Sequence, residues 1–136
     1  MIQVIAGKKG SGKTKRIIDM ANHASQESKH DIVFIDDDNR YMFDLRHEVR
    51  FINAGEYDIV SDQMFMGFLC GAVAQNFDVG LILVDAFKKL VKADLHSCGW
   101  MFERLESISE KHSVDFVLSI SEDVADLPDF ISKHVI

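Results

Sequence analysis

The stretch Gly7-Lys8-Lys9-Gly10-Ser11-Gly12-Lys13-Thr14 brings together the residue types that can hold a chain of phosphates. Glycines permit the tight turns that aim successive backbone N–H groups at one anion, and a helix starting where the turn ends adds the positive end of its dipole. Lys13 has the reach to neutralise terminal phosphates, and the Thr14 hydroxyl is a hard oxygen ligand suited to Mg2+. Two further stretches supply carboxylates. Leu81-Ile82-Leu83-Val84-Asp85 is an apolar run ending in one acid, and Val33-Phe34-Ile35-Asp36-Asp37-Asp38 ends in three. A charge is tolerable only where a buried strand emerges, so these acids should mark strand tips.

Elements able to position such groups are legible around them. Ile2, Val4 and Ile5 form a short apolar run ahead of the glycine-rich turn, and Ile17, Ile18, Ala21 and Ala24 recur at helical spacing after it. Strand candidates at 2–6, 31–36, 49–53, 79–85 and 114–120 alternate with helical patterns over 13–28, 61–76, 99–112 and 122–134. Such alternation predicts an α/β fold, a three-layer α/β/α sandwich on a five-stranded, mostly parallel sheet. The runs 31–36 and 81–84 are apolar throughout, as strands covered on both faces must be. Segments 37–48 and 86–98 read equally as short helical turns or loops; both follow strand C-termini, where ligands of open α/β sheets bind.

Composition narrows the partners. The 136 residues suit one domain, 1–136, with a real core; 47% are hydrophobic, 27% are charged and the net charge is −7. That acidic balance argues against a general nucleic-acid binder. No apolar run approaches the roughly 20 residues of a membrane span. The opening has no charged-then-apolar leader, so a cytoplasmic protein is expected. Cys70 and Cys98 lack metal-ligand spacing, and the six histidines include no pair at i, i+4, so no zinc site is proposed.

The eight-residue motif matches G-x-x-x-x-G-K-[ST], and the chain resembles the P-loop NTPases. The resemblance implies ATP and Mg2+ as ligands. Gly7, Lys8, Lys9, Gly10, Ser11, Gly12, Lys13 and Thr14 would hold the nucleotide, and Thr14 and Asp85 the metal. Leu81–Asp85 resembles the Walker B strand, whose carboxylate binds Mg2+ through water. The end of the second strand resembles that of RecA-type and KaiC-like ATPases, where apolar-apolar-Ile-Asp-x-Glu carries the acid that polarises the attacking water. Aligning Ile35-Asp36 puts Asp38 there, one methylene shorter, with Asp36 and Asp37 as substitutes; Lys13, Asp38 and Asp85 are the catalytic candidates. Strand order 3-2-4-5-1 follows from the same resemblance, with the first strand at an edge open to a partner. Short bacterial proteins with this opening are also labelled PilT-like. In the ParA/MinD group a lysine at the place of Lys8 reaches across a dimer, which would make a second copy or a protein partner complete the site.

Lesser candidates surround these. Ser119 could sense a γ-phosphate, and Ser121 is expected to cap the last helix. Arg40, Arg46 and Arg104 are candidate phosphate clamps, and Tyr41 and Phe43 could stack on a base or anchor their loop. No Asn-Lys-x-Asp run is present, which favours ATP over GTP. The expected activity is weak or partner-stimulated ATP hydrolysis driving a switch in 37–48 and 86–98. A small-molecule or nucleoside kinase and a non-hydrolysing nucleotide-dependent scaffold are the alternatives; 86–98 has lysines but no arginine for a kinase lid.

Overall fold

Continuous β-branched and aromatic runs form the five strands of one parallel sheet: β1 (Ile2–Gly7), β2 (Asp31–Asp36), β3 (Val49–Asn53), β4 (Val79–Val84) and β5 (Asp115–Ser121). The structure is a computed structural model that describes residues 1–136. The spatial order is β1-β5-β4-β2-β3, which is the expected order read from its other edge. Helices α1 (Lys13–Glu27), α2 (Asp62–Ala74), α3 (Phe87–Val91), α4 (Gly99–His112) and α5 (Asp129–Ser132) complete the layers.

Alternation along each strand divides the core between the two faces. Ile5, Phe34, Leu83 and Val117 pack with Ile17, Ile18 and Ala21 of α1. Val4, Ile35, Ile82 and Leu118 point the other way, into a larger cluster with Phe65, Phe87 and Phe102 from α2, α3 and α4. Phe34 is fully buried, and removing such a ring costs about 3–5 kcal/mol. Because every strand runs the same way, Gly7, Asp36 and Ser121 all end at one rim of the sheet. No helix is long and apolar enough to cross a membrane.

Three expectations need correction. The helix expected over 122–134 is instead a 3-10 turn at Val124–Asp126 followed by the four residues of α5. Pro128 is the reason: it has no N–H and pushes Leu127 into extended backbone (φ −81°, ψ 141°). Ser121 is the last residue of β5 rather than a helix cap, and the Asp123 carboxylate caps the turn by accepting from Ala125 N–H at 3.0 Å. The outer edge of β1 is not open along its length. Val4 N–H donates to the His134 carbonyl at 2.9 Å, and Ile136 N–H donates to the Val4 carbonyl at 3.0 Å, so the chain's own last residues lie along that edge.

Candidate functional site

Gly10 (φ +84°) and Gly12 (φ +87°) adopt left-handed backbone, which other residues reach only with strain; this lets the turn curl between β1 and α1. No side chain caps α1, whose first N–H groups have no partner within the helix. Lys13 folds back into the turn. Its ammonium donates to the Lys8 carbonyl at 2.9 Å and to Ser11 Oγ at 3.4 Å. The residue is only 8% exposed, and burial lowers its pKa from the ordinary lysine value, with the Asp85 charge acting in the opposite sense. A desolvated ammonium held by two neutral oxygens favours a nearby anion as countercharge.

Strand register places the acids. Ile35 is the partner of Val84, so the next residues, Asp36 and Asp85, emerge side by side. Asp85 N–H still donates to the Ile35 carbonyl at 2.9 Å, which extends the ladder by one bond. The Thr14 hydroxyl donates to Asp85 Oδ2 at 3.0 Å, bringing both expected metal ligands within one hydrogen bond. Asp85 Oδ1 accepts from Ala86 N–H at 3.0 Å. Ala86 takes left-handed backbone (φ 58°, ψ 38°), which costs an alanine about 1–2 kcal/mol and swings the chain from strand into α3.

The three consecutive aspartates meet three environments. Asp36 is 3% exposed, and its Oδ1 accepts from Asp37 N–H at 2.7 Å. Burial first, with the neighbouring Asp37 and Asp85 charges, pushes the Asp36 carboxyl up to about 8. Asp37 is half-buried with Lys89 Nζ at 3.9 Å. Asp38 is committed to Arg40: Oδ1 accepts from its backbone N–H at 2.9 Å and Oδ2 from its guanidinium at 3.3 Å. The water-orienting position expected for Asp38 therefore belongs, in this conformation, to a turn-forming side chain.

Together the turn and the acids enclose a cleft of about 650 Å³, and Arg40, Tyr41 and Ser119 also line it. Segment 37–48 contains a 3-10 turn at Met42–Asp44; segment 86–98 contains α3 and a 3-10 turn at Leu95–Ser97. Tyr41 packs against the α1-side core while Phe43 is 91% exposed. Arg46 pairs with Glu48 at 3.1 Å, and Arg104 lies over the Trp100 ring at 5.5 Å, so neither lines the cleft. Lys8 points outward, 3.8 Å from Asp123. Sequence reasoning passed over Lys88 and Lys89 at the cleft wall; Lys88 is held by Glu122 at 2.8 Å, which keeps the Glu122 carboxyl below its usual range.

No known protein family and no curated protein sequence matches the chain. Among solved structures, it is similar to domain III of the replication initiation protein DnaA from Thermotoga maritima, with a TM-score of 0.52 and 14% identity. The match covers 98% of this chain and 50% of that one, so the chain spans half of its neighbour's length. The likeness is one of fold. The chain has a P-loop-like α/β fold, a five-stranded parallel sheet between helical layers.

Proposed function

We propose that residues 1–136 form one nucleotide-binding unit that takes Mg-ATP and hydrolyses it weakly, or when a partner stimulates it. The supporting observation is the desolvated Lys13 ammonium, held on neutral oxygens inside an uncapped glycine turn and facing the Thr14–Asp85 pair. The turn's amides and Lys13 bind and orient the phosphates. Oxygen donors Thr14 Oγ1 and Asp85 Oδ2, 3.0 Å apart, fit a hard divalent ion. These two residues would hold magnesium, which would supply neutralisation of phosphate charge. Catalysis then rests on position and charge, with no covalent step by the protein. Water orientation is assigned to Asp38, which would have to leave Arg40 to perform it; the freed guanidinium would then be available to neutralise phosphate charge. This exchange is the proposed switch in segment 37–48.

One observation favours a second reading, a nucleotide-dependent scaffold without turnover: both Asp38 oxygens are already engaged. ADP release from purified protein with Mg-ATP, using Lys13→Ala as control, separates the readings. Steady ADP supports the hydrolase. Binding without turnover supports the scaffold. Turnover only with an added metabolite points to a kinase and contradicts both.

A further inference from the structure

Between Gln63 and Phe77 the chain has no charged residue, although 27% of the whole chain is charged. This stretch is α2 and its exit. Its inner face, with Phe65, Met66, Leu69 and Val73, is buried in the core. The outer face carries no charge: Met64, Gly67, Gly71 and Ala74 are exposed between the polar Gln63 and Gln75, and Phe68 is half-buried. Tyr57, its ring 5.7 Å from that of Phe68, extends this face at one end; Val60 and Phe77, 66% and 96% exposed, stand in the segments that lead into and out of α2. A surface helix normally turns charge outward, and a helix apolar all round needs a second covering layer.

We infer that the covering layer is a second copy of this chain, with two α2 helices packed antiparallel across Gly67 and Gly71. Size is the first argument. Tyr57, Val60 and Met64 make the N-terminal half bulky, while Gly67, Gly71 and Ala74 make the C-terminal half flat. A two-fold axis sets the bulky half of each copy on the flat half of the other, as an isologous interface requires. Charge is the second. Glu56 and Asp58 stand exposed at the N-terminal end with no ion-pair partner. At the C-terminal end, Arg46 and His47 pair with Glu48, and Asp31 accepts from the Asn76 side-chain amide, but Arg50 pairs with nothing; it lines a groove of about 720 Å³ that also holds Asp31, Glu48, Phe68 and Gly71. The same two-fold brings each copy's Arg50 toward the other's Glu56 and Asp58. A lipid surface fits less well, since the face has no lysine and the chain's charge is −7.

The interface would also abut the cleft. A side chain at Gly55 would collide with the Asp37 carbonyl, so the turn leading into Tyr57 rests directly on the acidic strip.

Sedimentation equilibrium on the full chain, from about 1 to about 200 micromolar, tests this. A species of twice 15.4 kDa is expected. A Cβ at Gly71 or Gly67 would meet nothing within 4 Å, so substitutions there leave the monomer fold intact. Gly71→Arg should weaken pairing about 100-fold with an undiminished melting temperature. Gly67→Ala with Gly71→Ala should weaken it while raising the melting temperature. Arg50→Glu should weaken it about tenfold, and adding Glu56→Arg and Asp58→Arg should restore it. A monomer throughout the range, a dimer indifferent to Gly71→Arg, or a monomer that instead binds anionic vesicles would each overturn the inference.

Discussion

The glycine-rich turn and the Asp36–Asp38 strip face each other across one cleft, yet they are organised on different principles. In the turn, position along the chain assigns the job: Gly10 and Gly12 curl it, Lys13 reaches back, and Thr14 reaches across to Asp85. In the strip, three identical side chains are divided among three tasks by their neighbours. Asp36 is buried beside Asp85, Asp37 faces Lys89, and Asp38 closes a turn on Arg40. A motif that shapes its own backbone carries its geometry with it, whereas a run of like charges takes its meaning from the elements packed around it.

The contrast breaks most visibly at Lys13. Lys13→Ala should weaken Mg-ATP binding at least about 100-fold, close to 3 kcal/mol, because a charged donor to phosphate is lost. Its melting temperature should not fall, since a desolvated ammonium is removed. Isothermal titration and thermal melting check both halves.

Asp36 provides the next largest effect, and it concerns stability. Its folded-state pKa of about 8 lies above the ordinary carboxyl value of 3.8, so the folded chain holds a proton that the unfolded chain releases. The stabilisation is complete below about pH 4 and is lost as pH rises through about 8. Asp36→Asn lacks this dependence. Urea melts should therefore show it gaining stability on the wild type as pH rises from 4 to 9, most steeply below pH 8. Parallel pH curves would contradict a buried, protonated Asp36.

Asp85→Asn should cost roughly tenfold in affinity with Mg2+ present and almost nothing in EDTA, since Thr14 keeps a hydrogen-bond partner but the carboxylate charge facing the ion is lost. The smallest change sharpens the comparison most. Asp38→Asn keeps an oxygen for the Arg40 N–H, so stability should move by less than about 0.5 kcal/mol while ATP turnover falls about tenfold with unchanged binding. Unchanged turnover would leave Asp38 as turn chemistry only.

Much of the frame is legible in the sequence. Strands 31–36 and 49–53 match their expected limits residue for residue, and α4 matches at 99–112. The first is a continuous apolar run closed by an aspartate at each end, and α4 carries Met101, Leu105 and Ile108 at helical spacing. Strand order followed from resemblance rather than from residue pattern, because pairing partners leave no mark along a single strand. The C-terminal segment misled because its acids read as a helix start, while Pro128 and the free edge of β1 decided otherwise. In the site, the motif pair singles out Thr14 and Asp85 together, while the hydrogen bond between them is a tertiary contact that neither motif spells out. Asp38 looked available because sequence spacing carries no information about Arg40 turning back onto it. The prominence of Asp36 depended on the pairing of Ile35 with Val84, a tertiary fact.

Calorimetric titration of the folded chain with Mg-ATP is the most direct measurement. Heat fitting one site per chain, absent in Lys13→Ala and reduced when Mg2+ is withheld, is the expected result. No heat with any purine nucleotide and Mg2+, from protein whose melting transition is intact, would contradict nucleotide binding by the glycine turn.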